Sequence, residues 1–249
     1  MIEKRQLERA FTRMVVTASR ELITGNLSDS DLTRRKRAVK FALYRLSVLD
    51  VSGVRDGIVE LLISQPWNIP VGIACRALAK ASCANALQEV VQRSTHPYVR
   101  ATALRALGKI RTGECISLLA SVLDDRASKI ERLMASEGLL DANLWQDIEL
   151  DTVKDWMQSE IDHPYVQKNV VLIFGQAYPN EARAFLQEMD NQRLHAIVHR
   201  AIHYVLTKPI AENLLWKSEP EVLKKYRAKF YPTIEELLGD EGSYILISN

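Results

Sequence analysis

The sequence predicts an all-α fold, and three observations carry that expectation. Apolar residues recur at helical spacing along nearly the whole chain, glycine and proline are sparse at ten and eight, and stretches of the sequence repeat. With 249 residues, 47% hydrophobic and 26% charged, the composition is that of a globular protein and excludes disorder, a collagen-like chain and a disulfide scaffold. A chain of this size buries roughly 70–75% of its unfolded surface, so it needs no metal or disulfide for stability. No apolar run is long enough to cross a bilayer, and the opening MIEKRQLERAF is charged where a signal peptide needs an apolar stretch. Three cysteines without C-x-x-C spacing fit free thiols in a reducing compartment, and a cytoplasmic protein away from membranes is expected.

The elements follow in order. Leu7, Phe11, Met14, Ala18 and Leu22 mark one helical stripe, which Gly25 and Asn26 stop. Ser28 to Asp31 then offer a capping box for a helix over about residues 30–48, because a serine oxygen accepts an orphan N–H while Asp31 favours the positive helix end. The string HPYV occurs at 96–99 and again at 163–166, an offset of 67, with Gly108 and Gly175 following at the same distance. PVGIACRALAKA at 70–81 lies over VRATALRALGKI at 99–110 with an offset of 29, which places Arg76 on Arg105. Helices at about 128–141 and 193–206 continue this series, and segments near 54–64, 84–94, 115–124, 149–159 and 180–190 alternate with it. His96 and His163 precede prolines at helix starts, so their repetition belongs to the turn.

The chain thus reads as helix pairs repeated about every 30 residues. Such a unit cannot bury its own apolar face and must stack on its neighbours, which gives a right-handed α-solenoid with a concave and a convex surface. HPYVRATALRALGKI resembles the second helix of a HEAT repeat, and the short spacing is similar to the HEAT-like repeats of phycobilisome lyases. The resemblance covers roughly residues 30–206 and implies a single HEAT-like domain over 1–249. Residues 1–29 are expected to cap one end, and 207–249, which depart from the repeat, to form a C-terminal cap or a partner-docking arm.

Charge is unevenly spread behind a net value of +2. Residues 1–113 hold about two basic residues for each acidic one, 114–162 about three acidic for each basic one, and the remainder is balanced. Arg34, Arg35, Lys36, Arg37, Lys40 and Arg45 share one helix, while Arg76, Arg100, Arg105, Lys109 and Arg111 are placed on later second helices. The HEAT resemblance puts those helices on the concave side. A basic groove attracts phosphates, an acidic protein surface or a carboxylate-bearing pigment, and the same charges also fit a solvated face paired within the molecule. Arg37, Arg76, Arg100, Arg105 and Lys109 are the expected partner contacts, since arginine forks onto carboxylates.

Other chemistry is thinly marked. His195, His199 and His203 follow at spacings of four; His195 and His199 are the metal candidates, without an H-E-x-x-H signature, and no metal or cofactor is expected. Cys75 and Cys115 align with apolar positions and read as core, while Cys83 sits near a turn and is the most exposed thiol expected. Trp67, Trp145, Trp156 and Trp216 read as packing residues. No G-x-S-x-G, Walker loop or dinucleotide fingerprint occurs, and the His-Glu dipeptides of HEAT-like hydroxylases are absent. Trp145, Asp147, Asp155 and Trp156 have the residue types of HEAT-like DNA glycosylases but lie in the acidic stretch. No catalytic residue is assigned. The expected function is a non-catalytic protein–protein interaction module (adaptor, scaffold, inhibitor or specialised chaperone). The alternatives are a bilin-lyase-like protein acting on a chromophorylated protein and a nucleic-acid-binding HEAT-like protein.

Overall fold

A computed structural model of the chain describes residues 27–46, 54–64, 66–124, 127–143, 148–158, 163–189 and 194–207, together with positions 10, 13, 15–18, 21, 22 and 25. Eleven bounded α-helices occur among them: α1 Asp29–Leu46, α2 Arg55–Ser64, α3 Val71–Lys80, α4 Ala84–Arg93, α5 Pro97–Leu107, α6 Gly113–Asp124, α7 Lys129–Ala142, α8 Leu150–Gln158, α9 Pro164–Ala177, α10 Pro179–Met189 and α11 Ala196–Thr207. No strand occurs among the described residues. The fold class is all-α, of the helix-pair solenoid type that the repeats predict. Residues 208–249, and with them the expected C-terminal cap or arm, lie outside the described residues.

Contacts divide the chain into two compact units, one reaching Ile110 and the other beginning at Arg111. In the first, α2 packs on α3 and α4 on α5 as helix pairs; the second members form a row in which α1 touches α3 and α3 touches α5, while α2 touches α4. In the second unit the pairs are α6–α7, α8–α9 and α10–α11, and the row of second members runs from α7 through α9 to α11. Each unit has its own core, filled by Leu43, Ile58, Leu61, Leu78, Leu87, Leu104 and Leu107 in the first and by Ile116, Leu119, Leu133, Phe174 and Leu186 in the second. Burial around much of α5 is why it alternates so many small residues, Ala101, Ala103 and Ala106, with Leu104 and Leu107.

Local signals set the boundaries. Gly25 adopts φ +73°, the left-handed region that suits it as a helix stop. The Asp31 N–H donates to Ser28 Oγ at 3.3 Å, and Ser28 Oγ donates to Asp31 Oδ2 at 2.6 Å. A complete capping box holds the start of α7, where Ser128 Oγ accepts from the Glu131 N–H and the Glu131 carboxylate accepts from the Ser128 N–H. His96 and His163 are the N-cap residues of α5 and α9 with proline in the first turn, and His163 Nδ1 accepts from the Tyr165 N–H at 3.4 Å.

The two glycines that follow HPYV prove to serve different ends. Gly108 sits past the last residue of α5 in right-handed conformation, at φ −57°. Gly175 lies inside α9 where a Cβ would meet Val205 Cγ1 at 2.5 Å and Cγ2 at 2.6 Å, so its missing side chain is what lets α11 approach. In the same row Asn169 Nδ2 donates to Ser136 Oγ at 2.8 Å, and Ser136 Oγ donates to the Leu133 carbonyl at 2.7 Å; these fully buried groups tie α9 to α7.

Candidate functional site

Among the described residues of the first unit, charge sorts by row. Its described carboxylates beyond α1 sit on the first helices of the pairs: Asp56 and Glu60 on α2, Glu89 on α4. They meet cations there. Arg55 Nε donates to Asp56 Oδ1 at 2.9 Å, and Arg93 bridges to Glu89 one turn back and to Glu60 of α2 at 3.9 Å. The second helices differ. Neither α3 nor α5 contains an aspartate or glutamate, and those of α1, Asp29 and Asp31, are confined to its first turn, where Asp31 takes part in the cap.

The same row carries exposed cations. Arg34, Arg37 and Lys40 are exposed on α1, Arg76 and Lys80 on α3, and Arg105 on α5. Arg35 is drawn aside by Glu21. Arg76 Nε donates to the Gly72 carbonyl one turn back at 3.1 Å, which holds its stem along the helix while the residue stays exposed. Lys109 and Arg111, expected on second helices, are placed differently. Helix α5 stops at Leu107, and the Lys109 and Ile110 N–H groups bond three residues back and tighten the turn that follows. Lys109 is therefore an exposed turn residue, and Arg111 lies beyond it with φ +61°.

Arg100 does not stand beside Arg105. Five residues on a helix separate them by about 140°, and Arg100, half-buried, donates through Nη1 to the Ser94 carbonyl at 3.0 Å. It closes the loop between α4 and α5, at a register where α3 buries Val71. Of the five expected contacts the structure thus puts Arg37, Arg76, Arg105 and Lys109 at exposed positions in or at the end of the second-helix row, and gives Arg100 a structural partner.

The remaining candidates are placed as follows. His195 precedes α11, and its Nδ1 accepts from the Ile197 N–H at 3.2 Å, so that nitrogen serves the helix end; His199 is half-buried one turn on. No group of three or more His, Cys, Asp or Glu side chains able to hold a metal ion occurs among the described residues. Cys75 and Cys115 are buried and Cys83 is half-buried. Desolvation pushes the Cys75 thiol up to about 12, which keeps it protonated and unreactive. Trp156 is buried and donates its indole N–H to Asp124, so it packs; Trp145, Asp147 and Trp216 lie outside the described residues. Trp67 departs from the packing expectation: it is 55% exposed, edge-on to His96 with ring centroids 6.0 Å apart, because its place is a short 3-10 turn between α2 and α3 and not a helix face. Tyr178 donates its hydroxyl to the Ile148 carbonyl, and burial, followed by the charges of Glu149, Glu181 and Asp151, holds that hydroxyl protonated above its ordinary range.

Fold and surface together define the class as a helical-repeat protein with a basic row of second helices. A family model described as HEAT repeats matches residues 56–140, which run from α2 into α7, so this stretch is of HEAT-like repeat type. No curated protein and no solved structure matches the chain. HEAT repeats generally serve protein–protein interaction, and no helix among the described residues is long and apolar enough to cross a membrane.

Proposed function

We propose that the protein is a non-catalytic binding module, an adaptor or scaffold, that captures a protein partner on the second-helix row of its first unit. The observation that carries this reading is the sorting of charge: aspartate and glutamate lie on α2 and α4, and none lies in α3 or α5, which expose Arg76, Lys80 and Arg105. A row of helices biased to one sign favours an oppositely charged partner and repels its own kind. Arg37, Arg76, Arg105 and Lys109 are the contacts, with arginine suited to forked bonds with carboxylates.

The test is a tagged full-length chain recovered from its native host, treated with nuclease and compared with an Arg76→Glu, Arg105→Glu variant. A protein retained at a fixed ratio by the native chain and lost from the variant, with helical circular dichroism unchanged, supports the reading. Equal retention by both removes this face. The short repeat spacing also favours a bilin-lyase-like reading, for which the same eluate would carry a visible absorption band; a chromophore in place of a stoichiometric colourless partner moves the assignment there.

A further inference from the structure

Arginines of three second helices in the first unit recur at one register. Arg37 on α1, Arg76 on α3 and Arg105 on α5 occupy it, each followed by a lysine, three residues on at Lys40 and four residues on at Lys80 and Lys109. The core fixes that register: Val39, Leu78 and Leu107 are each fully buried two residues after the arginine, so each arginine leaves its helix at the same angle from the packed face. Because α1 packs on α3 and α3 on α5, equivalent positions form rungs across the row. The same register of α7, a helix of the second unit, reads Glu137-Gly138-Leu139-Leu140-Asp141, with both charges reversed and Leu139 again fully buried.

We propose that this three-rung ladder binds an extended acidic segment of a protein partner in which a carboxylate recurs at every third residue. The stride follows from two lengths. Packed helices lie about 8–10 Å apart, and a polyproline II chain turns once in three residues with a rise of about 3.1 Å each, roughly 9 Å per turn. Carboxylates three apart then lie on one side of the segment at the separation of the rungs, and each meets an arginine fork with a lysine one turn along. A β-strand does not fit this rule, since residues three apart point to opposite faces. Nucleic acid fits less well because the residues between the cations on α3 and α5 are alanine, leucine and glycine, which give bases no stacking face. The inference rests on the binding-module reading above and names its partner.

The experiment uses the full chain and fluorescein-labelled synthetic peptides followed by anisotropy. One has glutamate at every third position with serine and proline between; its isomer, of identical composition, has the glutamates in one block. An oligothymidylate of equal charge is the third probe. The expected result is that the spaced peptide binds on the order of tenfold more tightly than its isomer, and that each rung neutralised, by Arg76→Gln with Lys80→Gln or by Arg105→Gln with Lys109→Gln, weakens it on the order of tenfold. Arg183→Gln, in the second unit, leaves binding unchanged. Equal affinity for the two peptides overturns the stride while leaving the basic face standing as a docking surface. Tighter binding of the oligothymidylate, or binding indifferent to both rung variants, overturns the proposal, and the pull-down above decides separately whether that face captures a protein at all.

Discussion

Cys75 and Cys83 stand eight residues apart and face different media. Cys75 is 1% exposed on α3, and burial raises its thiol to about 12; at roughly pH 8 its thiolate is then on the order of one in ten thousand molecules. Cys83 is half-buried at the start of α4, and its Sγ donates to the Ala81 carbonyl at 3.6 Å. Iodoacetamide applied to the folded protein is expected to label Cys83 far ahead of Cys75 and the buried Cys115, with all three labelled in denaturant; peptide mapping reads the order. The raised thiol also has a pH consequence. The unfolded chain releases the Cys75 proton at about pH 8.5–9 while the folded one keeps it until about 12, so the folded state holds more protons in that window and stability falls as pH rises through it. The slope reaches about 1.4 kcal/mol per pH unit and vanishes below the window. Urea unfolding of the native chain and of Cys75→Ala, at roughly pH 8 and pH 10, checks it: the variant loses less on moving to the higher pH.

At the scale of elements, Gly175 sets how closely α9 and α11 approach. A Cβ there would sit within 2.6 Å of both Val205 methyls, and both helices are fixed on further sides, α9 by α7, α8 and α10. Gly175→Ala is expected to lower stability by about 1–2 kcal/mol, overpacking of about 1–3 kcal/mol being partly offset by the helix propensity gained. The variant with Val205→Ala in addition recovers part of the loss, and a zero coupling between the two in urea unfolding would sink the explanation. Helices such as this were legible in the sequence. Those expected at 54–64, 84–94, 149–159 and 180–190 begin and end within one residue of α2, α4, α8 and α10, since apolar period, caps and prolines act locally. What a repeat alignment conceals is the neighbour. It set Gly108 and Gly175 at one position, yet Gly175 lies inside α9 where Val205 of α11 crosses it, while Gly108 lies past the end of α5. It grouped Arg100 with Arg76 and Arg105, although the alignment itself sets Arg100 on Val71, a core position; and the pairing of Arg93 with Glu60 depends on α2 touching α4, which spacing along the chain does not encode.

For the whole molecule, the net charge of +2 describes almost nothing of what a partner meets. In a repeat protein, one register repeated becomes one row on the surface, so a bias at a single position accumulates along the stack without altering the total. Cations scattered over several faces act through a field that salt screens within about 8–10 Å, whereas cations spaced at helix separation reinforce one another within that length. Equal changes in net charge should therefore have unequal effects. Replacing Arg76 and Arg105 by glutamate is expected to lower the salt needed to elute the protein from a polyanionic resin far more than replacing Arg183 and Arg200, which are exposed on α10 and α11 but share no such row. Native gel mobility checks that both pairs carry the same charge change, and circular dichroism that both fold. If the two variants elute together, the resin senses net charge alone and the row has no field of its own; if the first elutes early, the basic row dominates the electrostatic surface that the protein presents.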